Sequence, residues 1–319
     1  MYALMRGSIP DAGNEPFEVL GKAAALGASE VTFYSLFELS PTLDKGTLRE
    51  LKAEADRLGI AIGASLDWLN PLRLDRHARE LDLGQGDLAR GVARLLETGA
   101  VLGMADMFFT IGTLDDRAGN WTAQLDAVGI LLVGLRPNLA DLGMRVLVKT
   151  HEEITSYECL ALVERVGADR LGVSYDPVNT LVRIEDPIEA ARRLAPHIAQ
   201  VHVDDAILKP EQPSSIRRHL VPAGEGILDW AKIFAIVPEA KRLVELHNGQ
   251  FAMPVFDTDW LKSQPYIDLC EYAGLVGKAV GKREPEVADG LKTGDRLAEA
   301  IRICGAASAR PEHSMDKDF

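Results

Sequence analysis

Cysteine is scarce: Cys159, Cys270 and Cys304 are the three that occur in 319 residues. They are odd in number and far apart, which argues against a disulfide framework and fits a reducing cytoplasm. Positive charge is also in deficit. Lysine and arginine together number 35 against 48 acidic residues, a formal net charge of −13. That balance argues against nucleic acid or an anionic membrane surface as the main partner, but not against a small anion held in a local basic pocket. No apolar run reaches membrane-spanning length. The opening "MYALMRGSIP" shows neither a basic n-region nor a cleavage site, so no signal peptide is expected. Linkers and low-complexity blocks are missing too. Apolar residues are plentiful, at 47%. The length suits one large α/β domain or two small ones, with a sizeable core.

Short β-like runs alternate with helical stretches along the chain. Eight strands are expected, at 2–8, 29–35, 60–66, 105–112, 144–150, 170–176, 199–205 and 242–248. Helical patterns lie between them at 16–27, 47–59, 87–103, 123–143, 156–167 and 187–196, several ending in glycine as a helix C-cap should. Such alternation implies a parallel sheet. Eight units over roughly 250 residues is the size of a (β/α)8 TIM barrel. The alternative, a doubly wound open sheet, usually carries a glycine-rich phosphate turn after its first strand, and "RGSIPDAGN" is not one. The expected layout is a barrel over 1–257, a C-terminal helical extension over 258–307 and a polar tail over 308–319. Barrels of this size often pair through outer helices, so a homodimer is compatible.

In such a barrel the chemistry sits at the C-terminal ends of the strands. The fifth strand delivers Lys149 and His151, and the sixth Asp176 in "SYDPVN". The seventh delivers His202, Asp204 and Asp205 in "VHVDD", and the eighth Glu245 and His247 in "VELHNG". Earlier strand ends offer Arg6, Tyr34, Asp67 and Trp68. Each is, taken alone, an ordinary hydrogen-bonded strand-end residue. Together, Asp, His and Glu at three successive ends compose a divalent-metal site with positions left open for substrate. Two carboxylates and an imidazole suit Mn²⁺, Mg²⁺, Co²⁺ or Zn²⁺ without choosing among them.

The stretch 146–249, through "KTH", "SYDPVNT", "VHVDD", "PAGEGILDW" and "ELH", resembles the xylose isomerase-like family of sugar isomerases and epimerases, whose barrel endonuclease IV also uses. Asp176, His202 and Glu245 fall on the family's metal-ligand positions, and Asn179 on the last position of its D-x-x-N motif. Two departures stand out. Asp204 takes a place where the family often has lysine, and Lys149 takes the place of the family's first metal-ligating glutamate. The epimerases of that family use two facing glutamates to move a proton between faces of a carbon, and here Glu245 alone remains. A protonated lysine has three donors and no lone pair, so it cannot be a ligand.

Lys149 therefore reads in two ways: as half of an ion pair with Asp176, Glu245 or Glu152, or as a catalytic cation. The exchange moves the site two charge units toward positive, which favours a substrate carboxylate. The first functional expectation is metal-dependent decarboxylation of a 3-oxo sugar acid through a metal-held enediolate. Lys149 and His151 would orient the carboxylate or reprotonate carbon, beside Glu245. The alternatives are a sugar isomerase or epimerase, a lyase that cleaves a 3-keto-glycoside, and a sugar-binding barrel without catalysis.

The segment 206–226, "AILKPEQPSSIRRHLVPAGEG", reads as a long functional βα loop. Its Lys209, Arg217, Arg218 and His219 are expected to meet an anionic or polyhydroxy substrate, or else to form a solvated basic loop. Arg6, Asn179 and His247 are expected to contact substrate as well. Trp68 and Tyr34 would make a wall for a sugar face, or pack ordinarily. Asp229 in "LDW" reads as a helix N-cap.

Overall fold

The computed structural model describes residues 1–211, 213–281 and 293–306. Eleven strands occur among them, in chain order β1 (Ala3–Met5), β2 (Glu30–Phe33), β3 (Ala61–Trp68), β4 (Asp106–Thr110), β5 (Arg145–Lys149), β6 (Leu171–Tyr175), β7 (Ile198–Val203), β8 (Asp205–Glu211), β9 (Ser215–Val221), β10 (Lys241–Val244) and β11 (Phe251–Met253). Seven of them, β1 to β7, close with β10 into a parallel barrel, in the order β1-β10-β7-β6-β5-β4-β3-β2. The fold is the (β/α)8 barrel that the alternation implies, and each of the eight expected strands forms.

Strand parity divides the side chains between two layers. Val146, Val148, Val173, Tyr175, Val201, Val203 and Val244 point outward into the main core beneath the helices. Ala3, Met5, Phe108, Leu147 and Leu243 form a smaller cluster inside the barrel. The inward row of β5 runs from Leu147 to Lys149, and that of β10 from Leu243 on to Glu245 and His247. Parity thus delivers the polar strand-end residues to one mouth, above an apolar plug.

The helices start and stop where their sequences say. Asp44 caps the helix Lys45–Leu58 by accepting from the Thr47 amide, and Gly59 ends it at φ 71°, a left-handed angle that glycine adopts without penalty. Thr155 and Glu158 form a reciprocal capping box at the start of Ser156–Val166. Asp229 is the N-cap expected of it, accepting from the Lys232 amide.

The segment 206–226 is not a loop, which corrects the sequence reading. Its first part pairs as an antiparallel ribbon of β8 and β9, and β11 adds to the free edge of β9. The stretch 253–259 runs from the end of β11 into the helix Thr258–Lys262. "PAGEGILDW" then folds around Asp205. That carboxylate accepts from the amides of Ala206, Gly224 and Leu228 and from Trp230 Nε1. A Cβ at Gly226 would lie 1.9 Å from Asp205 Oδ1, so the motif's second glycine is a steric requirement.

Beyond the barrel, the helices Thr258–Lys262, Leu269–Val280 and Thr293–Ala306 make up the described part of the extension. The expected tail at 308–319 lies outside the described residues. No helix among the described residues is long and apolar enough to cross a membrane.

Candidate active site

Lys149 projects into the barrel mouth with almost no exposure. Its Nζ lies 2.6 Å from Glu245 Oε2 and 3.1 Å from Asp176 Oδ2. Burial alone would favour the neutral amine, but Glu245 and Asp176 overcome it and hold the ammonium well above its ordinary range. The ion-pair reading of Lys149 is therefore correct for Glu245 and Asp176.

Around that ammonium sit the three expected ligands. One donor atom from each of Asp176, His202 and Glu245 lies within 4.8 Å of the others, and all three residues are buried. His202 Nδ1 is 2.5 Å from Glu245 Oε2, and its Nε2 is 2.6 Å from Ser174 Oγ. Gln200 Nε2 donates to that same hydroxyl at 2.6 Å. The ring also meets Phe108 edge-on, at 5.4 Å between centroids. Burial, then Lys149, push the His202 pKa down, which favours the neutral form a metal requires.

Asp176 is fixed through its backbone, which exchanges hydrogen bonds with Thr150 Oγ1, and through Asn179 Nδ2, which donates to Oδ2 at 2.9 Å. Burial opposes ionisation of Asp176 and Glu245, but His247 and Lys149 keep Asp176 charged, and Lys149 and His202 do so for Glu245. Asp176 Oδ1 is buried and accepts no hydrogen bond. A bare anionic oxygen in the interior is costly unless a cation meets it. The donor set and this orphaned oxygen fit a divalent ion.

His247 belongs to the same cluster. Its Nε2 is 2.8 Å from Asp176 Oδ2 and 3.8 Å from Glu245 Oε2. Asp204 Oδ2 accepts from the His247 amide at 2.8 Å and lies 3.1 Å from Nδ1. Burial works against the imidazolium, but Asp176 and Glu245 raise the His247 pKa to about 9.

His151 turns to different partners. Its Nε2 is 2.8 Å from Glu152 and its Nδ1 2.6 Å from Glu153, and Trp68 stands edge-on at 6.1 Å. With both ring nitrogens on carboxylates, the group is an imidazolium. Glu153 and Glu152 outweigh burial and raise its pKa from 6.5 to about 10. The stabilisation from this pairing is full below 6.5 and disappears as pH climbs through about 10. Urea unfolding of the wild type and of His151→Gln should show a midpoint gap that narrows over that interval. A gap that stays constant with pH would mean His151 is held neutral.

Other expected contacts divide. Arg6 is spent on Gly13 O, Asn14 and Glu38, with its guanidinium 5.8 Å from the centre of the Tyr34 ring. Trp68 carries Arg76 over one face of its ring at 4.9 Å. Asn179 positions Asp176 and accepts at 2.8 Å from Arg218. Lys209 and Arg217 oppose each other across the β8–β9 ribbon, and His219 lies two residues along, opposite Ile207. By alternation these three share the ribbon face opposite Arg218. Arg218 is the one that turns inward. It is fully buried, donates to Val178 O, Asn179 Oδ1 and Gly249 O, and lies 4.8 Å from the Phe251 ring centre. Its inward direction was readable, because Ile216, Arg218 and Leu220 alternate with Arg217 and His219. Arg296 was not readable. It reaches from the helix Thr293–Ala306 to both oxygens of Asp204, at 2.9 and 2.8 Å.

Comparison with known proteins gives the same frame. A family model described as xylose isomerase-like TIM barrel matches residues 20–252. The uncharacterized protein YihM of Escherichia coli is 27% identical over 160 residues, covering 50% of this chain and 46% of its own. A 3-oxo-isoapionate decarboxylase of Pectobacterium atrosepticum is 27% identical over 176 residues, covering 52% of this chain and 62% of its own. The matched stretches thus span about half to three-fifths of those relatives. Among solved structures, IOLI protein with a bound zinc atom superposes with a TM-score of 0.61 at 14% identity, covering 96% of this chain and 98% of that one. The D-psicose 3-epimerase of Clostridium cellulolyticum H10, solved with D-tagatose, gives 0.61 at 12% identity, with 97% and 98% covered.

Proposed function

This chain belongs to the xylose isomerase-like TIM barrel family, and from that premise we propose that it is a divalent-metal-dependent decarboxylase of a 3-oxo sugar acid. The observation that carries the reading is the Lys149 ammonium, 2.6 Å from Glu245 in the mouth of the barrel. Moving a proton from one face of a carbon to the other needs two opposed bases. Here Glu245 is one carboxylate, and the position across from it holds a cation instead. Loss of CO₂ needs no base at carbon, so the exchange costs that reaction nothing. The relative named as a 3-oxo-isoapionate decarboxylase supports the same direction.

Asp176, His202 and Glu245 would hold the metal, with Mn²⁺, Mg²⁺, Co²⁺ and Zn²⁺ all compatible with such donors. When bound, it supplies Lewis-acid polarisation of a substrate carbonyl. The chain's own residues do the rest. Lys149 attracts and orients the substrate carboxylate by charge, at a site walled by Trp68. The bond between that carboxylate and the α-carbon breaks, CO₂ leaves, and the electron pair passes into the neighbouring carbonyl as an enolate. The Lys149 ammonium then returns a proton to carbon and regains one from water, which completes the balance.

The test is incubation of metal-loaded protein with 3-oxo sugar acids carrying a ¹³C carboxyl group, 3-oxo-isoapionate among them. Stoichiometric ¹³CO₂ and the ketose one carbon shorter are expected. Ketose interconversion without ¹³CO₂ from any acid would replace this reading with an epimerase or isomerase.

A further inference from the structure

We propose that His247 is a fourth protein ligand to the divalent cation, through its Nε2, so that the ligand lost at position 149 is regained from the eighth barrel strand. The proposal rests on the reading that Asp176, His202 and Glu245 bind a cation at all. Three observations carry it.

The first is the aim of the ring. Nε2 is 2.8 Å from Asp176 Oδ2 and 3.8 Å from Glu245 Oε2, so it faces the two ligand carboxylates. The atom is buried and makes no properly aligned hydrogen bond. The bare Asp176 Oδ1 belongs to the same cluster. Two unmet polar atoms from two strand ends of the barrel mouth are what a site built around an ion leaves behind when protein atoms alone are counted.

The second is the other side of the ring. Asp204 Oδ2 lies 3.1 Å from Nδ1 and also accepts from the His247 amide. A histidine that ligates a metal almost always gives its remaining N–H to a carboxylate or carbonyl, which fixes the tautomer and raises ligand basicity. Asp204 is itself locked by Arg296, which donates to both its oxygens and to His247 O at 3.0 Å. A surface histidine needs no such support. This relay also gives a use to Asp204, the residue that departs from the lysine frequent in the family.

The third is charge. Two carboxylates and two neutral imidazoles around a divalent ion sum to zero, and Lys149 adds one positive charge. A net positive centre of this kind attracts a carboxylate substrate.

The experiment is electron spin-echo and ENDOR spectroscopy of the full-length protein loaded with Mn²⁺, prepared with ¹⁵N-histidine. Nitrogen couplings from two imidazoles are expected in the wild type and from one in His247→Gln. In Asp204→Asn both couplings should persist while the dissociation constant for Mn²⁺ rises about 10–100-fold. The wild-type spectrum needs no variant to fold. One coupled imidazole in the wild type, or two in His247→Gln, overturns the fourth ligand and leaves the three-residue site intact. Failure of the wild type to bind Mn²⁺ overturns the metal reading itself, and this inference with it.

Discussion

Lys149→Glu should bind divalent cations more tightly than the wild type and release CO₂ at least ~10³-fold more slowly, a loss in the range expected when a positioned charge and proton donor are removed together. The substitution puts an anion where the ammonium now contacts Glu245 Oε2 at 2.6 Å and Asp176 Oδ2 at 3.1 Å. Without metal, three carboxylates then crowd one buried mouth. Removing one partner of a buried ion pair costs about 3–5 kcal/mol, and the added repulsion increases it. Metal-free Lys149→Glu should therefore unfold at markedly lower urea, and Mn²⁺ should restore much of the loss through binding linkage. Lys149→Met separates the two effects. It should lose the reaction as well, without the gain in metal affinity. Full activity in Lys149→Glu would show that the lysine serves packing and charge balance alone.

The second large effect is expected at His202. Its ring is wholly buried between Phe108 and Glu245 and tied to Ser174. His202→Ala removes a ligand from the centre of the set, so bound metal and activity should vanish together. Metal analysis after dialysis should find one bound cation per wild-type chain and almost none in the variant. The cavity left beside Phe108 will lower stability by about 2–5 kcal/mol, so Asp176→Asn is the companion. Asn retains the shape and an acceptor for the Asn179 amide but gives up the charge, and it should lose metal with less damage to the fold. Activity with metal still bound in both variants would move the site elsewhere in the molecule.

The barrel and the centre of its mouth were legible in the sequence because both follow from period. Strand and helix periods gave the eight units. Parity within the strands then placed Lys149, Asp176, His202 and Glu245 on one rim, since each follows an inward neighbour two residues earlier. The β8–β9 ribbon was hidden. Pro210 and Pro213 and the polar run between them interrupt the alternation that marks a hairpin, and Ile216 and Leu220 are too few apolar positions among the basic residues of β9 to restore it. Lys209, Arg217, Arg218 and His219 were expected together at the substrate, and Arg218 is the one that reaches Asn179. The supports of the ligands were also hidden. Ser174 and Gln200 behind His202, and Arg296 behind Asp204, act across separations of twenty-six to ninety-two residues. Local pattern carries no information about such pairings. His151 was expected beside Lys149 by the same parity, but the strand ends at Lys149, and Glu152 and Glu153 claim the ring.

The most direct test of the account is anomalous diffraction from crystals of the wild-type protein grown with Mn²⁺. One strong manganese peak is expected in the barrel mouth, in contact with carboxylate oxygens of Asp176 and Glu245 and a nitrogen of His202, with the Lys149 ammonium beside it and outside the coordination sphere. Intact crystals with no peak there, and the ammonium alone bridging the two carboxylates, would contradict it.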